Sequence, residues 1–127
     1  EYDYSFNYQN WYPSVKHESK NTIENVGLFE LSPFSKYEIK GEGAYDELQR
    51  LCTANIKDDI GKCTYTHMLN EGGGIETDLT VVCINKNHFR IISSAAVRTH
   101  DKAHILKHLS KDLKKYKERN TKTLFNE

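Results

Sequence analysis

The chain has 127 residues, a length that suits one domain or one part of a larger domain. Basic and acidic residues number 18 each, so no net charge draws the protein toward nucleic acid or an anionic membrane. No apolar run reaches membrane-spanning length, and aromatic residues at 11% supply burial that a disordered chain lacks. The composition therefore predicts a folded, soluble protein whose partners are neither nucleic acid nor membrane.

Residues 1–13 form an aromatic N-terminal arm. Tyr2, Tyr4, Phe6 and Tyr8 alternate with polar residues, a spacing that places the four rings on one side of an extended segment. We interpret the arm as a strand that packs on a neighbour outside this chain. Stacking on single-stranded nucleic acid is the alternative, but the arm has no accompanying basic groove.

A helix is predicted over residues 14–25, with Ser14 as a possible N-cap. After this helix the chain reaches a short apolar run of Leu28, Phe29 and Leu31, which ends at a Ser-Pro pair. We expect these three side chains to be buried.

The segment Lys36–Lys40 alternates in polarity and predicts a half-buried strand with Tyr37 and Ile39 on its inner face. Gly41-Glu42-Gly43 then turns into a helix. The third glycine of a dinucleotide-binding motif is replaced by Asp46, so a plain strand-to-helix turn is favoured. Helical spacing gives this helix an apolar stripe of Ala44, Leu48, Leu51 and Cys52.

Three strands follow, at about 62–69, 75–84 and 88–93, and a glycine triplet separates the first two. A long helix begins near Thr99, with Ile105, Leu106, Leu109 and Leu113 facing inward. The element order predicts an α+β fold with a mixed or antiparallel sheet and flanking helices. Residues 14–110 are assigned to this domain, and residues 111–127 to a basic helix end or linker.

Two sets of side chains could bind metal or form disulfides. Cys52, Cys63 and Cys83 form no CxxC pair, and their positions favour buried free thiols. His100, His104 and His108 share one helical face, as metal ligands on a helix do. They border an apolar stripe and have no evident fourth ligand, so we predict no metal site.

The hairpin around the glycine triplet is the strongest candidate for a functional site. Its turn brings Tyr65 back toward Asp78, although thirteen positions separate them. A carboxylate within so apolar a strand is costly unless it is solvated, paired or functional. The residues alone leave two interpretations open, a functional site and a salt-bridged surface aspartate.

Three blocks of the chain resemble one known family. They are Val26–Lys36, Ile39–Gly41 with the helix around Leu48–Leu51, and Tyr65–Leu79, which reads Tyr-x-x-Met-Leu-Asn-x-x-Gly-Gly-x-x-x-Asp-Leu. In this order they resemble the folate-binding domain of the aminomethyltransferase family, which includes the glycine cleavage T-protein. Within that family the chain is most similar to the folate domains of dimethylglycine and sarcosine dehydrogenases.

The resemblance implies tetrahydrofolate as cofactor and one-carbon transfer as the reaction. It places Asp78 at the family's catalytic aspartate, where a buried carboxylate would act as base, and Tyr65 at a tyrosine that lines the pterin pocket. Val97 occupies the position of a pocket-wall residue. Ser94 stands where T-proteins carry an asparagine, and Thr77 replaces the first of their two consecutive aspartates.

The resemblance also implies a longer parent protein, because family members are several times longer. The chain is then the first portion of a folate domain, inactive alone, whose partners are a methylated amine substrate and the remainder of that domain or a flavin domain. FAD is implied only if the parent has a separate flavin domain. The alternative is a non-catalytic folate-binding or partner-binding module. The implied location is the cytoplasm, or the mitochondrial matrix in a eukaryote.

Overall fold

The computed structural model describes residues 1–109, which belong to two compact units, Glu1–Ser32 and Pro33–Glu127. The first unit contains helix α1. The elements are α1 (Tyr12–Glu24), β1 (Ser35–Lys40), α2 (Ala44–Leu51), β2 (Cys63–Leu69), β3 (Ile75–Asn85), β4 (His88–Ser93), a 3-10 turn (Ala95–Val97) and α3 (Arg98–His108). This order confirms the predicted α+β class. None of the helices within residues 1–109 is long and apolar enough to span a membrane.

Helix α1 begins two residues before the predicted start. Trp11 is the N-cap and makes no side-chain capping bond, while Pro13 lies in the first turn. Proline is well suited to that position because its fixed φ matches the helix and its missing N–H is not needed there. Ser14 is therefore inside the helix, and its predicted capping role is wrong.

The aromatic arm of residues 1–13 is not an extended strand. Polar side chains hold it in a turn, because Gln9 Oε1 accepts from the Ser5 N–H at 3.3 Å and Ser5 Oγ accepts from the Asn7 N–H at 3.1 Å. Such local bonds to the backbone compete with strand formation. The rings of Tyr2 and Tyr4 each meet the ring of Trp11 nearly edge-on, with centroids 5.3 Å and 5.2 Å apart.

The apolar run after α1 is exposed, contrary to the prediction. Leu28, Phe29 and Leu31 expose 100%, 68% and 63% of their surface. These residues lie in neither a helix nor a strand. The prediction failed because a short apolar run gives no periodicity from which a covering surface can be inferred.

The four strands form one antiparallel sheet in the order β1-β4-β3-β2, which settles the choice between a mixed and an antiparallel sheet. Cross-strand pairs such as Ile39–Phe89 and Val81–Ile91 align buried side chains on one face. Tyr37 and Ile39 are both buried, as predicted. The sheet therefore has one apolar face that the helices cover.

Helices α2 and α3 complete the core over that face. Gly43 caps α2 with φ +88°, a left-handed conformation that favours glycine, and no dinucleotide loop forms. Ala44, Leu48 and Cys52 are buried and Leu51 is partly buried, which confirms the predicted stripe. From α3, Ile105 is fully buried and Leu109, just beyond its end, is nearly so; Leu113 lies outside the described residues. Full burial of a side chain such as Leu48 stabilises the fold by about 1.5–3 kcal/mol.

Two residues that begin strands are exposed, and one of them, Cys63, was predicted to be buried. Cys63 begins β2 on its outward side, so the three free cysteines divide into one exposed thiol and two buried ones, Cys52 and Cys83. Ile75 begins β3 and is 64% exposed. An irregularity between Met68 and Leu69 shifts the register there, so the strand alternation does not extend to its first residue.

Candidate functional site

The turn between β2 and β3 is organised by Asn70. Its Oδ1 accepts hydrogen bonds from the N–H groups of Gly72 at 3.0 Å and Gly74 at 2.9 Å, and its backbone N–H donates to Gly74 O at 2.9 Å. Gly73 has φ +82°, where a Cβ would be strained. Asparagine and glycine together therefore close the predicted hairpin, and the turn is not a phosphate-binding loop.

The hairpin brings Tyr65 and Asp78 into contact. The Tyr65 hydroxyl donates to Asp78 Oδ2 at 3.0 Å. The hydrogen bond to this carboxylate raises the pKa of Tyr65, because ionisation would remove the donor and place two negative charges together. At neutral pH the phenol thus remains a donor that orients the carboxylate.

Both residues lie on the exposed face of the sheet. Tyr65 is 61% exposed, and Asp78 is exposed as well. The burial that the family resemblance implies for the Asp78 carboxylate is not found in this chain: the alternation of β3 turns Thr77 and Leu79 inward and Asp78 outward. A ligand from solvent can reach the carboxylate directly.

His67 adjoins this pair and was not identified from the sequence. It lies directly opposite Asp78 in the β2–β3 register, and its ring meets the Tyr65 ring edge-on with centroids 5.4 Å apart. The signal was its spacing of two residues from Tyr65, which places both side chains on one face of a strand. The site on this face therefore contains Tyr65, His67 and Asp78.

The structure places Ser94 and Val97 at the end of β4. Leu79 pairs with Ser93, so the position after Ser93 continues toward Asp78 on the neighbouring strand. Val97 ends the following 3-10 turn and is 37% exposed. Among the described residues, neither side chain forms a hydrogen bond with Tyr65 or Asp78. The geometry thus brings Tyr65 and Asp78 together and leaves Ser94 and Val97 at the margin.

A second polar cluster joins the start of β3 to the first turn of α3. Asp101, at the start of α3, is completely buried, and its Oδ2 accepts from Thr77 Oγ1 at 3.0 Å. Its Oδ1 lies 3.2 Å from His100 Nδ1, while His100 Nε2 lies 3.0 Å from Glu76 Oε2. The sequence signal was an inward-facing Thr77 beside two carboxylates, but its partner on α3 could not be located without the fold.

The three histidines of α3 do not share a ligand position. Both ring nitrogens of His100 contact carboxylates, those of Asp101 and Glu76. His108 Nδ1 lies 2.9 Å from the carbonyl oxygen of His104. Within residues 1–109, no group of three or more histidine, cysteine, aspartate or glutamate side chains is arranged to hold a metal ion. The histidines instead border an open groove of about 660 Å³ beside the turn that Asn70 organises.

Comparison with known proteins identifies the family. Residues 1–125 match the model of the GCVT N-terminal domain. The chain is 39% identical over 92 residues to 4-methylaminobutanoate oxidase (formaldehyde-forming) of Paenarthrobacter nicotinovorans. This alignment covers 72% of the chain and 11% of that protein. It is 35% identical over 101 residues to the mitochondrial dimethylglycine dehydrogenase of Rattus norvegicus, and this alignment covers 80% of the chain and 12% of that protein.

A solved structure supports the same fold. The crystal structure of glycine cleavage system aminomethyltransferase T from Bartonella henselae matches with a TM-score of 0.58 and 24% identity, over 61% of this chain and 22% of that one. The chain thus spans 11% and 12% of the two sequence relatives named above. By sequence match and fold, it belongs to the GCVT N-terminal domain family.

Proposed function

We propose that this chain forms part of a tetrahydrofolate-binding site in an enzyme of the aminomethyltransferase or dimethylglycine dehydrogenase type, with Asp78 as base. The observation that carries the proposal is the Tyr65–Asp78 hydrogen bond on an open face of the sheet. Two relatives by sequence, an oxidase and a dehydrogenase that act on methylated amines, support the reaction class.

The residues present fit a pterin. Asp78 Oδ2 accepts one hydrogen bond from Tyr65, and a carboxylate has further lone pairs that can accept from pterin N–H groups. Tyr65 is exposed, so its ring can contact a flat heterocycle. Ser94 and Val97 are proposed as further contacts at the margin of the site.

When bound, tetrahydrofolate would supply the nitrogen atoms that receive a one-carbon unit, after a flavin has oxidised the methylated amine by two electrons to an iminium. An ionised Asp78 can take a proton from a nucleophilic nitrogen, and its negative charge favours a cationic one-carbon donor nearby. Tyr65 keeps the carboxylate oriented through its own proton. The base and its orienting group thus come from facing strands of one hairpin.

An open site on a sheet face excludes little water, and one-carbon chemistry requires exclusion of water from reactive carbon. We therefore propose that further protein, the remainder of a folate domain or a flavin domain, covers this face in the active enzyme. FAD would belong to that flavin domain. Without such a cover, this chain is expected to bind folate weakly and to catalyse no transfer.

Calorimetry with tetrahydrofolate tests the proposal on this chain and on any longer version that contains it. Asp78→Asn keeps the shape of the side chain but removes its charge, and we expect at least tenfold weaker binding. Asp59→Asn, in an exposed loop, is the matched control and should bind within twofold of wild type. Equal affinity of Asp78→Asn and wild type would refute the assignment. A longer form that binds folate but transfers no one-carbon unit would support the non-catalytic alternative.

A further inference from the structure

His100 connects a partly exposed carboxylate to a buried one. Its Nε2 lies 3.0 Å from Glu76 Oε2 on β3, and its Nδ1 lies 3.2 Å from Asp101 Oδ1 on α3. A neutral imidazole has one N–H and one lone pair, so it can donate to only one of the two. Both contacts are favourable together when the ring carries both protons.

The burial of Asp101 favours a charged His100 ring beside it. The carboxylate is fully buried, and among residues 1–109 its side-chain partners are Thr77 Oγ1 and His100 Nδ1. The threonine hydroxyl supplies a hydrogen bond but no charge, whereas a protonated His100 supplies both to the buried carboxyl group. The hydrogen bond to Asp101, followed by that to Glu76, raises the pKa of His100, while burial opposes the rise.

These contacts hold the strand that carries Asp78. Glu76, Thr77 and Asp78 are consecutive in β3, and the first two are bound to the first turn of α3 through His100 and Asp101. Glu76 is held on its other oxygen by Asn70 Nδ2 at 3.0 Å, so the turn belongs to the same network. We propose that protonated His100 is a positioning residue, which fixes α3 to β3 and thereby places Asp78 for ligand binding.

The proposal rests on the function proposed for Asp78, and it adds a proton-dependent control of the site. Loss of the His100 proton leaves a lone pair facing one carboxylate, so we expect the α3–β3 connection to loosen as pH rises through the His100 pKa. The groups that face His100 are Glu76 from β3 and Asp101 and His104 from α3. Glu71, Lys107 and His108 line the same groove.

The first test needs no folate. The backbone signals of Asp78 and the ring signals of Tyr65 are followed by NMR from pH 5 to 9, together with the His100 ring nitrogens. We expect Asp78 and Tyr65 to shift with the midpoint of His100, which lies above the ordinary histidine value. In His100→Arg, which keeps a permanent charge, the part of both shifts that follows the His100 midpoint should disappear. If the chemical shifts of Asp78 and Tyr65 in wild type show no change at the His100 midpoint, the inference is overturned, whether or not any variant folds.

The second test measures tetrahydrofolate affinity across the same pH range. Wild type should bind about tenfold more weakly above the His100 midpoint than below it. His100→Arg should bind tightly with this step removed, His100→Gln should bind weakly at all pH values, and His104→Gln, on the same helix face, should keep the wild-type profile. A wild-type chain that shows the NMR coupling but binds no folate refutes the proposed function and leaves the positioning role standing. Folate binding by wild type with the same pH profile in His100→Arg refutes the positioning role alone.

Discussion

Thr77 and Asp78 are adjacent in β3, yet their side chains join separate polar networks on opposite faces of the sheet. Thr77 Oγ1 donates inward to the buried Asp101, and Asp78 Oδ2 accepts outward from Tyr65. The strand alternation produces this division. A change on the inner network can therefore move the outer carboxylate through one peptide unit, without a path through side chains.

Asp78 is expected to control the ionisation of Tyr65. In Asp78→Asn the accepting carboxylate is lost, so the pKa of Tyr65 should fall back toward the ordinary value for tyrosine. Tyrosine ring carbons labelled with 13C report this by NMR titration between pH 8 and 12. The Tyr45 signal, from a ring packed beside Phe89, serves as the internal control. A Tyr65 titration unchanged by the substitution would show that the hydrogen bond does not persist in solution.

Glu38 should make the free energy of unfolding decrease at low pH. Its carboxylate accepts from Arg90 Nη2 at 2.6 Å, Lys40 Nζ at 2.5 Å and His88 Nε2 at 2.9 Å. The hydrogen bonds from Lys40 and Arg90 lower its pKa to about 2. Because the folded-state pKa lies below the unfolded value of 4.5, the stabilisation is present above pH 4.5 and is lost as pH falls toward 2.

Glu38→Gln should accordingly cost about 1–2 kcal/mol of unfolding free energy at pH 7, measured by urea denaturation. The full pKa shift would give more, but Lys40 and Arg90 are 38% and 45% exposed, and solvent screens them. The difference from wild type should shrink between pH 4.5 and pH 2. Glu42→Gln, at an exposed turn position, should show neither effect. A Glu38→Gln deficit that is the same at pH 3 and pH 7 would contradict the ion-pair explanation.

Periodicity was enough to predict the strands and helices that form the core of the second unit. Strand alternation located Tyr37 and Ile39, and helical spacing located Ala44 and Leu48, because one face of each element must be buried. The hairpin was predictable for a second reason, because its glycines mark where the chain reverses. Within this unit the sequence therefore predicted which side chains meet across short distances.

Long-range polar contacts were not predictable in this way. Asp101 and Thr77 are 24 residues apart, and no spacing rule pairs a helix start with a particular strand position. The residues left open whether Asp78 is functional or a surface aspartate, because the apolar neighbours in the sequence do not decide exposure, whereas the alternation of β3 does. The run of Leu28, Phe29 and Leu31 failed for a related reason, since apolar composition does not identify a covering surface.

The three thiols should react at different rates. Cys63 is exposed, whereas Cys52 is buried in the core, and burial raises its pKa to about 11. Cys83 is also buried, and burial is the main cause that raises its pKa. Its Sγ lies 3.1 Å from the carbonyl oxygen of Asp58. A thiol-specific disulfide reagent should therefore modify one cysteine quickly in the native protein and all three in denaturant. Cys63→Ser should abolish the fast phase, and a fast phase that survives this change would contradict the assigned burial.

Ser35 and Ser93 allow the stability contribution of a hydrogen-bonded buried hydroxyl to be compared with that of an unpartnered one. They lie directly opposite each other in β1 and β4, and both are buried. Ser35 Oγ donates to the carbonyl oxygen of Ser94 at 3.1 Å, whereas Ser93 Oγ has no hydrogen-bond partner within the described part of the chain. Removing the bonded hydroxyl in Ser35→Ala should cost about 1 kcal/mol, and removing the unpartnered one in Ser93→Ala should stabilise by a similar amount of about 1 kcal/mol. Urea denaturation of both variants checks the signs; a Ser93→Ala variant less stable than wild type would mean that an ordered water or further protein satisfies that hydroxyl.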